Sequence, residues 1–162
     1  MPSKANPDSL GFLFAETSRL LRTALERRIA AAGLDITAAE ARALVHVAAV
    51  EGSRQNVIAE RMGVEPMTVC AYLDRLERLG LVERKPDPKD RRAKNVTTTD
   101  AADRLILAVR EQSESLYEEM QLGLDAATRA TFLEAMKAVR ANLQSLLTET
   151  TAPRPDAEVL PA

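Results

Sequence analysis

The chain has 162 residues and a formal net charge of −2 at pH 7, and its one cysteine, Cys70, excludes an intramolecular disulfide framework. No apolar run approaches the roughly 20 residues of a membrane span, and MPSKANPDSL at the start lacks the apolar core of a secretory signal, so a cytoplasmic protein is expected. With 3% aromatics, no Trp and abundant Ala, Leu, Arg and Glu, the composition favours packed helices over a β-sandwich.

Leu10, Leu13, Phe14, Leu21, Leu25 and Ile29 recur at steps suited to one helical face, and Gly33 follows as a stop. Residues 9–32 are therefore predicted as an amphipathic helix capped by Asp8 or Ser9. Thr37 and Glu40 have capping-box spacing, which starts a second helix that runs to about Val50. Ser53 is predicted to cap a short third helix, Gln55 to Met62, with Val57, Ile58 and Met62 inward. Gly63 supplies a turn, and Pro66 opens a fourth helix, where its missing N–H costs nothing. Val69, Leu73, Leu76 and Leu79 form that helix's buried stripe and Gly80 ends it, the outline of a helix-turn-helix.

Two strand-like runs, LVERK from Leu81 and NVTT from Asn95, flank the polar loop PDPKDRRAK and predict a β-hairpin with a long basic tip. Thr99 is predicted to cap a fifth helix to about Leu122, with Leu105, Val109, Leu116 and Met120 on one side. After a break at Gly123 and Asp125, Phe132, Met136, Val139, Leu143 and Leu146 repeat at heptad spacing, a narrow seam for another helix. The ending TTAPRPDAEVLPA is expected to be a flexible tail.

Charge is distributed unevenly: Arg54 to Lys94 holds ten basic residues against seven acidic ones, inside an acidic chain. One His, one Cys, no glycine-rich phosphate loop and no metal-ligand spacing argue against an enzyme and against a metal or other cofactor.

The stretch from Val64 to Ala102 combines a helix of recognition type, a glycine stop, a strand, a charged loop, a strand and a helix start. Through LDRLERLGLVER at 73–84, PDPKDRRA at 86–93 and Thr99-Asp100, it resembles the MarR family, and its SlyA-like branch in particular. Over residues 10–148 the resemblance is carried more weakly by the six-helix layout.

The fold it implies is mainly α: a six-helix winged helix-turn-helix with a small β-hairpin wing and a helical dimerisation region. The implied division is an N-terminal dimerisation helix over 1–33, a DNA-binding domain over 34–99, C-terminal dimerisation helices over 100–149 and the tail over 150–162. The implied function is that of a sequence-specific, ligand-responsive repressor, a homodimer on a pseudo-palindromic duplex operator.

By this resemblance the fourth helix enters the major groove, presenting Pro66, Met67, Thr68, Cys70, Ala71 and Arg75. Family members often carry a hydroxyl residue and then a long polar or basic one where this chain has Cys70 and Ala71. Arg75 holds a phosphate or a base, or is a surface charge paired with Asp74 or Glu77. Arg92 takes the wing position that reaches the minor groove, held there by Asp90. Lys85, Lys89, Arg91 and Lys94 suit phosphates as a flexible charged fringe, with Arg54 and Gln55 adding contacts at the third helix.

Cys70 is either a redox switch that releases DNA or a small apolar residue. His46, among Leu44, Val45 and Val47, is a structural histidine or a pH-sensitive one. The family's ligand junction, which accepts phenolic or carboxylate molecules, implies Arg19, Arg22 or His46 as effector-binding residues. The competing reading is a helical adaptor that binds other proteins; it accounts for the heptad seam but not for the basic wing.

Overall fold

A computed structural model describes residues 6–90 and 92–150. Arg91 and the tail expected beyond Thr150 lie outside the described residues, as do the first five. Six helices occur among the described residues with a small antiparallel sheet, which makes the chain mainly α with a winged helix-turn-helix. No helix among them is long and apolar enough to cross a membrane.

The chain forms two compact units that divide after Glu118. In the first, α1 (Leu10–Ala31) starts after Ser9, whose side chain makes no capping bond, contrary to the expectation for it. The Asn6 side chain instead accepts the N–H of Asp8 at 3.0 Å, just ahead of the helix. α2 (Ala38–Ala49) has the capping box: Thr37 Oγ1 accepts the N–H of Glu40, and Glu40 Oε2 accepts the N–H of Thr37 at 2.7 Å.

Ser53 does not cap the third helix. It belongs to a strand, β1 (Ser53–Arg54), and Arg54 stands at the N-cap of α3 (Gln55–Met62). Val57 is 40% exposed rather than inward, while Ile58 and Met62 are buried. Gly63 closes α3 in the left-handed region at φ 64°, where glycine lacks the Cβ that other residues must strain to accommodate. The guanidinium of Arg42 donates to the free Met62 carbonyl at 3.1 Å, a cation placed where the helix dipole favours one.

α4 (Pro66–Arg78) follows, with Pro66 in its first turn and Val69, Leu73 and Leu76 buried. β2 (Val82–Pro86) and β3 (Lys94–Thr98) form the predicted hairpin, with Arg84 opposite Val96. The sheet has a third strand, since β1 pairs with the other edge of β3, Ser53 opposite Val96. A two-residue strand carries no periodicity of its own, so only its partner reveals it.

Thr99 caps no α-helix. A single 3₁₀ turn, Asp100–Ala102, precedes α5 (Asp103–Met120), and the Thr99 hydroxyl donates to the Gly80 carbonyl at 2.6 Å, tying the end of β3 to the end of α4. On α5, Ile106, Val109 and Leu116 are buried, whereas Met120 is 44% exposed. The core of this unit is contiguous: Ile29, Leu44, Val47, Ile58, Val69, Leu73, Leu76 and Val96 are all essentially sealed from water. Truncating one of its leucines to Ala costs about 2–5 kcal/mol through lost transfer energy and an unfilled cavity.

In the second unit Gly123 adopts φ 87°, and Asp125 Oδ1 accepts the N–H of Thr128 at 2.8 Å as α6 (Ala126–Thr150) begins. The heptad residues Phe132, Met136, Val139, Leu143 and Leu146 are each at least 37% exposed in the single chain.

Candidate nucleic-acid interface

α4 is held at both ends while its outer face stays open. At its start the Gln55 side-chain amide donates to the Pro66 carbonyl at 3.0 Å, so the first residue of α3 fixes the first turn of α4. Pro66, Thr68 and Ala71 are exposed and Met67 is 79% exposed, while Cys70 and Arg75 are half-buried. The Cys70 thiol lies 3.9 Å from the Asp74 carboxylate.

A residue absent from the sequence-based candidates organises this face. Arg84 on β2 reaches α4, with one nitrogen 2.5 Å from Asp74 and 3.1 Å from Glu77 and another donating to the Cys70 carbonyl at 3.3 Å. Its side chain is only 12% exposed. The signal was available in the strand pattern: Arg84 is two residues from the buried Val82, and alternation puts both on the inner face of β2. An inward guanidinium needs partners, and two carboxylates one helical turn apart supply them.

Asp74 and Glu77 are therefore engaged by Arg84 rather than by Arg75, as the surface-charge alternative had it. Among the described residues the Arg75 guanidinium has no hydrogen-bond or ion-pair partner, which leaves its fork available.

The wing tip is folded by its own aspartates. Asp87 Oδ1 accepts the N–H of Lys89 at 2.7 Å and Asp90 Oδ1 accepts the N–H of Arg92 at 3.1 Å, two successive Asx turns. Asp87 and Ala93 close the loop through a 3.0 Å backbone bond. The expected link between Asp90 and the Arg92 guanidinium is absent, because Asp90 holds Arg92 by its backbone and turns its other oxygen to Arg54, 3.6 Å away. Two Asx turns thus shape the described part of the tip, and the Arg92 guanidinium has no partner among the described residues.

Arg54 also donates to the buried Asp87 at 2.8 Å, bridging the start of α3 and the wing tip. The N–H of Lys89, then the Arg54 guanidinium, holds the Asp87 carboxyl below its ordinary pKa. Arg54 is accordingly committed to the wing. Lys85 is paired with Glu83, whereas the side chains of Lys89 and Lys94 are exposed and without partners among the described residues.

Gln55, Cys70, Arg84, Arg92, Lys94 and Val96 surround a shallow cavity of about 310 Å³ between α3, α4 and the wing. Three of its six lining residues are cationic. In charge and shape this is a concave basic surface beside a protruding helix.

Of the effector candidates, Arg22 and His46 line a separate cavity of about 380 Å³ within the first unit, together with Glu26, Arg42, Val109 and Tyr117. Arg19 is not brought to it; it pairs with Glu16 at 2.9 Å on the exposed half of α1. Burial, then the charges of Arg61 and Arg42, lowers the His46 pKa from its ordinary value.

A family model described as the MarR family matches residues 34–93. YdgJ of Bacillus subtilis (strain 168), named an uncharacterized HTH-type transcriptional regulator, is 24% identical over 92 residues, 57% of this chain, and the match spans only 56% of that protein's length. The crystal structure of transcriptional regulator PA3341 superposes with a TM-score of 0.69 at 33% identity, covering 85% of this chain and 99% of that one. A MarR cysteine-to-serine mutant from E. coli, complexed with operator DNA, superposes with a TM-score of 0.67 at 26% identity over 80% of this chain and 92% of that one.

Proposed function

The chain belongs to the MarR family of winged helix-turn-helix transcriptional regulators, and from that premise we propose that it is a ligand-responsive repressor, a homodimer that binds a pseudo-palindromic duplex operator. The observation that carries this reading is the open face of α4 beside a folded wing whose Arg92 and Lys94 side chains have no partner among the described residues. Free guanidinium and ammonium groups on a concave surface suit phosphates and a narrow minor groove, and an exposed helix of 13 residues fits the major groove. The similar MarR mutant complexed with operator DNA supports duplex DNA as the ligand.

In this reading Met67, Thr68, Ala71 and Arg75 face base edges, and Arg92 enters the minor groove. Lys89 and Lys94 hold phosphates, while Gln55, Arg54, Asp87 and Asp90 set the elements that carry them. Arg91 is assigned to phosphates from its place in the sequence alone. The exposed apolar residues of α1 and the heptad face of α6 form the dimer contact. Two-fold symmetry then sets half-sites roughly 10 base pairs apart, one turn of the duplex. The assignment to the SlyA-like branch rests on the wing sequence PDPKDRRA.

The cavity lined by Arg22, Arg42 and His46 is the effector site of this reading, suited to a small aromatic carboxylate: Arg22 and the part of Arg42 not held by the Met62 carbonyl outweigh Glu26 in charge, and Leu21, Leu25 and Val109 supply apolar walls. An effector acts only by binding one spacing of the DNA-binding lobes better than another.

Fluorescence anisotropy on a duplex from upstream of the chain's own gene, against a scrambled duplex across a salt series, tests the regulator reading. Selective binding that Arg92→Ala weakens by about tenfold, with a salt slope lower by about one, is expected. Equal binding of both duplexes, or an unchanged affinity in Arg92→Ala, overturns it.

A further inference from the structure

We infer that α4 reads its half-site mainly through thymine methyl groups, so that this regulator's preferred ligand is a duplex with thymines facing Met67, Thr68 and Ala71. The inference rests on the DNA-binding reading and names the chemistry of that same surface.

The argument begins from what α4 has left to offer. A base edge is read by donors, acceptors or apolar contact. Acceptors are partly spent: Asp74 and Glu77, which could accept a hydrogen bond from cytosine N4, each have one oxygen held by Arg84, which draws both carboxylates toward β2. The Cys70 thiol is turned toward Asp74, and the Arg78 guanidinium donates to the Asp74 carbonyl at 3.3 Å. Within α4 the polar side chains left with groups to offer on the open face are Thr68 and Arg75, together with the terminal nitrogens of Arg78 in the last turn, far from the first turn that carries Met67.

The apolar supply is larger. Met67 is 79% exposed in the first turn, and Pro66 and Ala71 are exposed beside it. Ala71 lies four residues from Met67, so the two share one face. Ala71 is short enough to let the helix approach closely, and a thioether is flexible enough to cover a methyl group at an adjacent step. Thr68 adds a methyl as well as a hydroxyl. In the major groove the matching apolar feature is the C5-methyl of thymine. Arg75, one turn further on, then supplies the hydrogen-bonding fork nearest this apolar patch.

The test uses the full chain and a pool of randomised 30-base-pair duplexes, from which bound sequences are selected. The winning duplex is then resynthesised with deoxyuridine in place of thymidine, one position at a time, which deletes one methyl and no Watson–Crick group. We expect at least one position in each half-site to lose about 3- to 5-fold in affinity, the scale of one buried methyl. Met67→Ala, at a side chain that contributes nothing to the core, is expected to bind the thymidine duplex more weakly and to remove the discrimination at the position that Met67 faces. Uridine duplexes bound as tightly as thymidine ones, or discrimination that survives Met67→Ala unchanged, overturn the inference while leaving the regulator reading intact. A selection that enriches no sequence overturns the regulator reading, and this inference with it.

Discussion

The Arg84 guanidinium lies 2.5 Å from the Asp74 carboxylate and donates to the Cys70 carbonyl, which fastens the first wing strand to the outer half of α4. Without that cation, Asp74 and Glu77 become two uncompensated negative charges on the face proposed to meet DNA. Arg84→Met keeps the apolar stem and removes the charge. It is expected to cost about 1–2 kcal/mol of stability, less than a fully buried pair because both carboxylates remain about half exposed. DNA affinity is expected to fall by at least about tenfold, since like charge then faces the phosphates. Urea denaturation and anisotropy measure the two effects separately; a folded variant whose DNA affinity stays within about twofold of the wild type removes the electrostatic role assigned to Arg84.

Arg54 and Asp87 form the second fastening, from the start of α3 to the wing tip. If their role is to position the wing, Arg54→Ala and Asp87→Asn each weaken DNA binding by about three- to tenfold, and the double variant is no worse than either single one. A phosphate contact by Arg54 itself predicts a different pattern: loss in Arg54→Ala alone, with little effect of Asp87→Asn. The lowered Asp87 pKa sets the sign with pH. Its contribution is complete above the ordinary carboxylate range and is lost as pH falls through the lowered value, so the fastening is fully formed at neutral pH.

The helical frame was legible because its punctuation is local. Thr37 with Glu40, Pro66, Gly63 and Gly80 each act within one turn of themselves, and each stands where its chemistry indicated. The missed features are those in which a local motif competes with a distant partner. Ser53 precedes a helix and looks like a cap, but Val96 offers its backbone a strand partner. Thr99 likewise looks like a cap, and its hydroxyl goes to Gly80 instead. Asp90 was matched with Arg92 by proximity in sequence, whereas folding the tip brings Arg54 to its carboxylate. Arg84 passed unnoticed because a basic residue within a basic stretch reads as surface charge until its strand face is worked out.

Gly63 occupies the left-handed region at φ 64°, and a Cβ placed there meets nothing within 4 Å. The cost of Gly63→Ala is thus backbone strain alone, about 1 kcal/mol, with no steric clash to add to it. Thermal unfolding of the variant is expected to show that loss with the fold retained. A neutral or stabilising substitution would show that the α3 to α4 turn does not hold this conformation in solution.

His46 gives the stability a pH dependence near neutrality. Burial disfavours its charged form, and the Arg61 and Arg42 guanidinium groups add to the effect, so its pKa in the folded chain is lower than the ordinary 6.5. In the unfolded chain the imidazole takes up a proton as pH falls through about 6.5, while the folded chain resists until a lower pH. Between those two values the unfolded state binds more protons, so stability is complete above about 6.5, declines as pH falls through the folded value, and then levels off. Chemical denaturation from pH 7.5 to 5.0 is expected to show this decline in the wild type. His46→Gln, which cannot take the charge, is expected to flatten that part of the profile. An identical decline in both proteins would assign the effect to other groups. An aromatic carboxylate in the same cavity would bring negative charge toward His46 and raise its folded pKa toward the unfolded value, which shrinks the decline, so the same denaturation series with salicylate as probe reports occupancy of the cavity independently of DNA binding.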